Sequence, residues 1–321
     1  MSSVTDESLK CVVTGANGFV GSKLVQRLHE NNFEVIACTR SPLRIQGGVV
    51  VGDINAATNW FSVLYGASVV IHSAARVHIM DDKSADPLPE YRKVNVDGTI
   101  NLALQAATSG IKRFIFISTV KVNGETTRQG HAFFADDHPV PQDPYAVTKL
   151  EAEQMLRELS AQTGMEVVIV RPPLVYGLGV RANFAAMMSL LSRGIPLPLA
   201  TVNRNRRSMV ALDNLVDLLI TCIGHPAAAN QTFMVSDGED LSTADLLRRL
   251  GQAIGRPARL FPVPVSLLRF GADLIGKSNE AQRLLGSLQV DISKTRELLD
   301  WSPKISVDEG LRRAANGMIG L

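Results

Sequence analysis

Thr14-Gly15-Ala16-Asn17-Gly18-Phe19-Val20-Gly21 follows the apolar run Lys10-Cys11-Val12-Val13 and precedes a helical pattern through Leu24, Val25 and Leu28. Strand, glycines and helix in that order make a nucleotide-binding turn. Gly15 permits the tight turn, Gly18 lets backbone N–H groups approach a pyrophosphate, and Gly21 lets the helix pack closely on the strand. A glycine triplet alone is weak evidence, because glycine is the default residue of any turn; the flanking strand and helix give it meaning.

Outward from this turn, short β-branched runs alternate with helical periodicity. Lys10–Thr14, Glu34–Thr39, Val49–Gly52, Val69–His72, Arg113–Ser118 and Glu166–Arg171 read as strands, which predicts an α/β fold with a doubly wound parallel sheet of Rossmann type. Asp143-Pro144 reads as an N-cap followed by the first helical position. After Arg171-Pro172-Pro173 the alternation loosens into helical segments near 181–193, 213–224, 242–254 and 265–276, joined by Pro-rich turns. The expected organisation is a dinucleotide-binding domain over 1–172 and a smaller, mostly helical substrate lobe over 173–321. Val210 and Phe233–Ser236 read as strand pieces able to return to the main sheet.

The 321 residues, 45% hydrophobic and 20% charged, suffice for a large core. A net charge of +2 with acids and bases interspersed provides no basic stripe, which argues against a nucleic-acid partner. Cys11, Cys38 and Cys222 lack metal-ligand or redox spacing and read as small buried hydrophobes in a reducing compartment. Residues 1–8 are polar, and Pro, Gly or charge interrupts the apolar stretches elsewhere. A soluble cytoplasmic protein without membrane insertion or metal is expected.

Tyr145-Ala146-Val147-Thr148-Lys149 opens a helix, with the Tyr hydroxyl and the Lys ammonium one turn apart on the same face. A cation near a phenol lowers its pKa from the unperturbed ~10 toward working pH, so the tyrosine can exchange a proton with an alcohol undergoing hydride transfer. A lone Tyr–Lys pair is more often an ordinary solvated helix face; here it accompanies the glycine turn.

Together these motifs resemble the extended short-chain dehydrogenase/reductase family, which contains nucleotide-sugar epimerases, reductases and dehydratases. The resemblance covers nearly the whole chain. Gly52-Asp53-Ile54 looks like the family's adenine-side contact, and His72-Ser73-Ala74-Ala75 like its turn after the fourth strand. Asn95-Val96-Asp97-Gly98-Thr99 resembles the helix motif whose Asn braces the active site. Ile117-Ser118-Thr119 ends the strand carrying the catalytic hydroxyl, and counting back from Gly124 puts that hydroxyl at Thr119 rather than Ser118. The resemblance implies Thr119, Tyr145 and Lys149 as the catalytic set. It implies cofactor contacts at Gly15, Asn17, Gly18, Phe19, Val20, Gly21, Arg40, Asp53, Ile54, His72, Ala74, Ala75, Asn95, Tyr145, Lys149 and Pro172. Substrate contacts are implied at Thr119, Asn183, Arg207 and Arg283, the two arginines facing the diphosphate of a UDP-sugar.

Departures from the family pattern narrow the reaction. Dehydratases place an Asp-Glu pair after the catalytic Thr, where this chain has Val120-Lys121, so dehydration is rejected. NAD-preferring members place a carboxylate after the second strand; Arg40 stands there instead and favours NADP(H) over NAD(H). Leu174 occupies a position where sugar epimerases carry Asn. The stretches Asn205–Ser208, Val235–Ser242 and Leu285–Asp291 are similar to bacterial O-antigen 4-keto reductases of the UDP-N-acetylquinovosamine type, often labelled UDP-glucose 4-epimerase. The leading expectation is therefore NAD(P)H-dependent reduction of the C4 ketone of a UDP-linked 6-deoxy-N-acetylhexosamine in surface polysaccharide biosynthesis. The alternative is a UDP-hexose 4-epimerase. A steroid-type dehydrogenase or a non-catalytic dinucleotide sensor fits less well, the first because of Arg207 and Arg283, the second because Thr119, Tyr145 and Lys149 are intact. A homodimer through a four-helix contact, as in relatives, stays open.

Overall fold

Strands arise where the β-branched runs stand: β1 Lys10–Thr14, β2 Glu34–Thr39, β3 Gly48–Val50, β4 Val69–His72, β5 Arg113–Ile117, β6 Glu166–Arg171, β7 Leu174–Tyr176, β8 Met209–Ala211 and β9 Thr232–Met234. The computed structural model describes residues 9–42, 45–77, 86–128, 130–180 and 182–319, with backbone alone at 182, 183, 279, 318 and 319. The main sheet has the order β3-β2-β1-β4-β5-β6-β9, and β1 to β6 are mutually parallel where they pair. This is the Rossmann-type doubly wound sheet. Its switch point lies between β1 and β4, where the strand order reverses and a crevice opens beyond the carboxyl ends of the strands.

Val210 departs from the expectation. It lies in β8, which pairs in parallel with β7 as a separate two-stranded sheet, while Phe233 lies in β9 and does join the main sheet. Pro172 and Pro173 explain the separation: neither can donate a ladder N–H, so pairing stops after β6 and restarts at Leu174.

The helices are α1 Phe19–Glu30, α2 Phe61–Leu64, α3 Leu88–Arg92, α4 Thr99–Thr108, α5 Pro144–Thr163, α6 Ala182–Ser192, α7 Leu212–Gly224, α8 Thr243–Ile254, α9 Val265–Leu274, α10 Ser278–Leu285, α11 Ser293–Leu299 and α12 Val307–Ile319. A π-helical turn, Lys93–Gly98, links α3 to α4. Asp143 caps α5 by accepting from Ala146 N at 2.7 Å, and Pro144 takes the first helical position, where no N–H is needed. The chain divides into two compact units, one of Met1–Val122, His138–Arg171 and Leu218–Phe233, the other of Asn123–Asp137, Pro172–Asp217 and Met234–Leu321. In the first, Trp60, Leu64, Leu102, Phe114, Phe116 and Leu156 form the core between sheet and helices. In the second, Tyr176, Phe184, Met188, Leu246, Leu250 and Leu311 do so. The three cysteines are buried and unpaired, and burial pushes each thiol up to about 12. Among the described residues no helix is long and apolar enough to cross a membrane, and no three metal-ligating side chains gather.

Candidate active site

The cleft of the first unit sits at the switch point. It has a volume of about 620 Å3 and is lined by Gly15, Asn17 and Gly18 after β1, Arg40 after β2, Asp53 and Ile54 after β3, and Ala74 and Ala75 after β4. Gly15 has φ +65°, and a Cβ there would lie 2.8 Å from Ala74 N. A Cβ at Gly21 would lie 2.1 Å from the Gly15 carbonyl, so α1 can approach β1 only because that side chain is missing. Gly18 is the N-cap of α1, and no side chain caps the helix, an arrangement suited to a phosphate at the first-turn amides. Phe19 and Val20 are half-buried in the first turn of α1. This cradle fits a dinucleotide. Ser41, Arg76 and Lys93 also line it; sequence reading missed them, although Arg76 directly follows the recognised His72–Ala75 turn.

Arg40 Nε lies 3.3 Å from Asp53 Oδ1, with both side chains more than three-quarters exposed. Two residues assigned separately from sequence therefore form one pair at the cleft rim, and the cation already has a carboxylate partner.

His72 is not a cleft residue. Its ring is 1% exposed, with Nδ1 2.7 Å from Thr14 Oγ1 and Nε2 3.0 Å from Thr99 Oγ1. Burial and the charge of Lys149 together push it down to about 3, so it is a neutral core histidine tying β1 and β4 to α4. Asn95 is equally buried. Its Oδ1 accepts from Arg76 N at 2.8 Å, and its Nδ2 donates to Arg76 O at 3.1 Å and to Thr148 Oγ1 at 3.2 Å. Projecting from the π-helical turn, it fixes the loop after β4 to the helix that carries Lys149.

Thr119 follows β5 and is buried, its Oγ1 accepting from Lys121 N at 3.3 Å. The hydroxyl of Ser118 is committed elsewhere, donating to Glu153 Oε1 at 2.5 Å. Glu153, which sequence reading did not select, is fully buried and also accepts from Arg171 at 2.9 and 2.5 Å and from Arg157 at 3.1 Å. Its Lys149+4 position was visible in the sequence; its partners were not. Lys121 forms an ion pair with Asp143, the α5 cap.

Tyr145 and Lys149 share the start of α5. Tyr145 packs edge-on against Tyr91 at 6.4 Å, and Lys149 Nζ lies 3.7 Å from the centroid of the Phe116 ring. Burial, with smaller contributions from Asp143 and Tyr91, pushes the Tyr145 phenol up. Burial pushes Lys149 down to about 7 against the opposing pull of Glu153. The expected lowering of the tyrosine pKa is thus not what the site shows. Loss of solvation acts on both groups and leaves a neutral phenol beside an amine that titrates near neutrality.

Residues 11–236 match the model of the NAD dependent epimerase/dehydratase family. The chain belongs to this family. The UDP-glucose 4-epimerase of Vibrio cholerae is 49% identical over 311 residues, covering 96% of this chain and 95% of that protein. Among solved structures, the UDP-N-acetylglucosamine 4-epimerase of Bacillus cereus superposes with a TM-score of 0.80 over 98% of both chains at 21% identity. The UDP-glucuronic acid 4-epimerase of Bacillus cereus, in complex with NAD, gives 0.79 over 98% of this chain and 97% of that one at 23% identity. These two likenesses establish the fold. Membership in the epimerase/dehydratase family makes the protein an enzyme.

The second unit of this family member holds the remaining expected residues. Arg207 is half-buried and donates to Gly286 O at 3.4 Å, its backbone bridged to Leu241 and Leu288. Burial, and to a lesser extent the charge of Arg283, pushes its pKa down. Neither arginine has a carboxylate partner among the described residues, an arrangement that an anion would relieve. A cavity of about 790 Å3 in the same unit is lined by Arg204, Asn205, Gln282 and Gly286. Asn183 belongs to α6, but its side chain lies outside the described residues. Pro172 is buried directly after β6, and Leu174 is 41% exposed.

Proposed function

We propose that this enzyme is a UDP-hexose 4-epimerase of the cytoplasm that uses NAD. The observation that carries the reading is the 49% identity to the Vibrio cholerae UDP-glucose 4-epimerase over nearly the whole of both chains. The cradle at Gly15, Gly18 and Gly21 would hold the dinucleotide, which would supply reversible hydride chemistry at C4 when bound. Thr119 would orient the C4 hydroxyl. Tyr145 Oη would have to give up its own proton first, a loss that a cationic Lys149 favours; as the tyrosinate it would take the hydroxyl proton while the C4 ketone forms, and as the phenol it would return a proton to the C4 oxygen when the ketone is reduced on its other face. Arg207 and Arg283 are the groups this reading assigns to the diphosphate.

NADP preference finds no support beyond the presence of Arg40. Asp53 at 3.3 Å neutralises that cation and would repel a 2′-phosphate. We expect NAD to serve the enzyme better than NADP, and Arg40→Asp to weaken NADP use roughly tenfold or more while changing NAD use little. Steady-state constants for both cofactors test this; an Arg40→Asp variant with unchanged NADP constants shows that Arg40 does not face the 2′ position.

One observation favours a second reading, 4-keto reduction of a UDP-linked 6-deoxy-N-acetylhexosamine for surface polysaccharide. Burial holds Tyr145 as the neutral phenol, the form that donates a proton to a ketone. Incubation without added cofactor separates the two. The epimerase interconverts UDP-glucose and UDP-galactose, or their N-acetyl forms, and retains its NAD. Stoichiometric consumption of added NADH or NADPH on a UDP-4-keto sugar, with no interconversion, overturns epimerisation.

A further inference from the structure

The second unit carries an apolar helix face that its own core does not use. α9 has no buried residue. Leu267, Phe270 and Leu274, spaced as one helical face, are 57%, 61% and 71% exposed, and Ile275 beyond the helix end is 69% exposed. Phe261, ahead of the helix, adds a further 44% exposed ring. Val265, Arg269 and Asp273 line the cavity described above from the other side of the helix, so the apolar face points away from that cavity. Contiguous exposed apolar surface of this kind marks an interaction site.

The surrounding charge identifies the occupant. Arg256 and Arg259 are exposed in the chain before α9, Lys277 is exposed just beyond its end, and Arg269 is exposed on the cavity side of the helix; none has a carboxylate partner among the described residues. Between 256 and 277 they are opposed by a single acid, Asp273, so this short segment carries more positive charge than the whole chain, whose net charge is +2. Aromatic and aliphatic side chains on one face with cations along the flanks and ends are what an amphipathic helix lying in a bilayer interface requires. We propose that α9 and its flanks dock the enzyme on an anionic phospholipid surface, Phe270, Leu267 and Leu274 entering the acyl boundary and Arg259 and Lys277 meeting phosphates. This is peripheral attachment by one helix face and does not depend on which sugar reaction the enzyme performs.

The test is co-sedimentation of the full-length enzyme with vesicles of phosphatidylglycerol and phosphatidylethanolamine, against vesicles of phosphatidylcholine alone. The wild type should partition onto the anionic vesicles and lose most of that binding in ~0.5 M salt. Phe270→Ser/Leu274→Ser should reduce partitioning at least about tenfold, because it removes two apolar side chains from the docking face. Arg259→Glu/Lys277→Glu should reduce it similarly without altering the apolar face. All substituted positions are exposed, and an unchanged thermal midpoint confirms that each variant is folded. Absence of binding to anionic vesicles overturns the proposal, as does equal binding by the variants. A wild type that is dimeric by light scattering and becomes monomeric with Phe270→Ser/Leu274→Ser also overturns it and assigns the face to a second copy of the chain.

Discussion

Tyr145→Phe is expected to lower kcat by about 10²–10⁴-fold, the range for removal of a positioned general acid or base. The substitution deletes one oxygen and keeps the ring, so the edge-on packing against Tyr91 persists and the start of α5 keeps its Asp143 cap. Three other polar groups of this unit already have partners. Ser118 is committed to Glu153, Lys121 is paired with Asp143, and both ring nitrogens of His72 are occupied by threonines in the core. The loss should therefore appear in kcat, with the substrate KM and the thermal midpoint nearly unchanged. Wild-type turnover in Tyr145→Phe would remove this residue from the chemistry.

Glu153→Ala is expected to cost about 3–5 kcal/mol of stability, the range for breaking a buried ion pair by deleting one partner. Glu153 and Arg171 are essentially inaccessible to solvent. Deleting the carboxylate removes the ion pair and two hydrogen bonds that Glu153 makes with the buried Arg171 guanidinium, and the acceptor of the buried Ser118 hydroxyl next to Thr119. The exposed pair Arg248–Asp245 provides the contrast; Arg248→Ala should leave the unfolding midpoint essentially unmoved, because surface pairs contribute little. Urea denaturation of both variants checks the difference. Equal midpoints for Glu153→Ala and wild type would show that the buried network adds nothing to stability.

Much of the fold was legible because its determinants are local. The glycine turn, the strands β1 to β6 and the Asp143-Pro144 helix start depend on backbone freedom, side-chain branching and hydrogen bonds a few residues away, which neighbouring residues set. The pairing of Tyr145 with Lys149 is of the same kind, since spacing along one helix determines which side chains share a face.

Long-range contacts were not legible. His72 looks the same in sequence whether it meets a cofactor or two threonines; Thr14 and Thr99 decided that it is a core residue. Arg40 alone suggests a 2′-phosphate, and only the return of the chain at Asp53 supplies its counter-charge. Glu153 is one acid among many until β5 and β6 bring Ser118 and Arg171 to it. Even the direction of the Tyr145 shift was reversed, because spacing reports the distance to a neighbour and says nothing of the solvation lost on folding. The sequence by itself determined the glycine turn, the parallel sheet and the placement of Tyr145 and Lys149 one turn apart on α5, all of which follow from local geometry. Only the tertiary structure decided the desolvation of those two side chains and the partners of the buried charges, because burial and ion pairing depend on which distant segments the fold brings together.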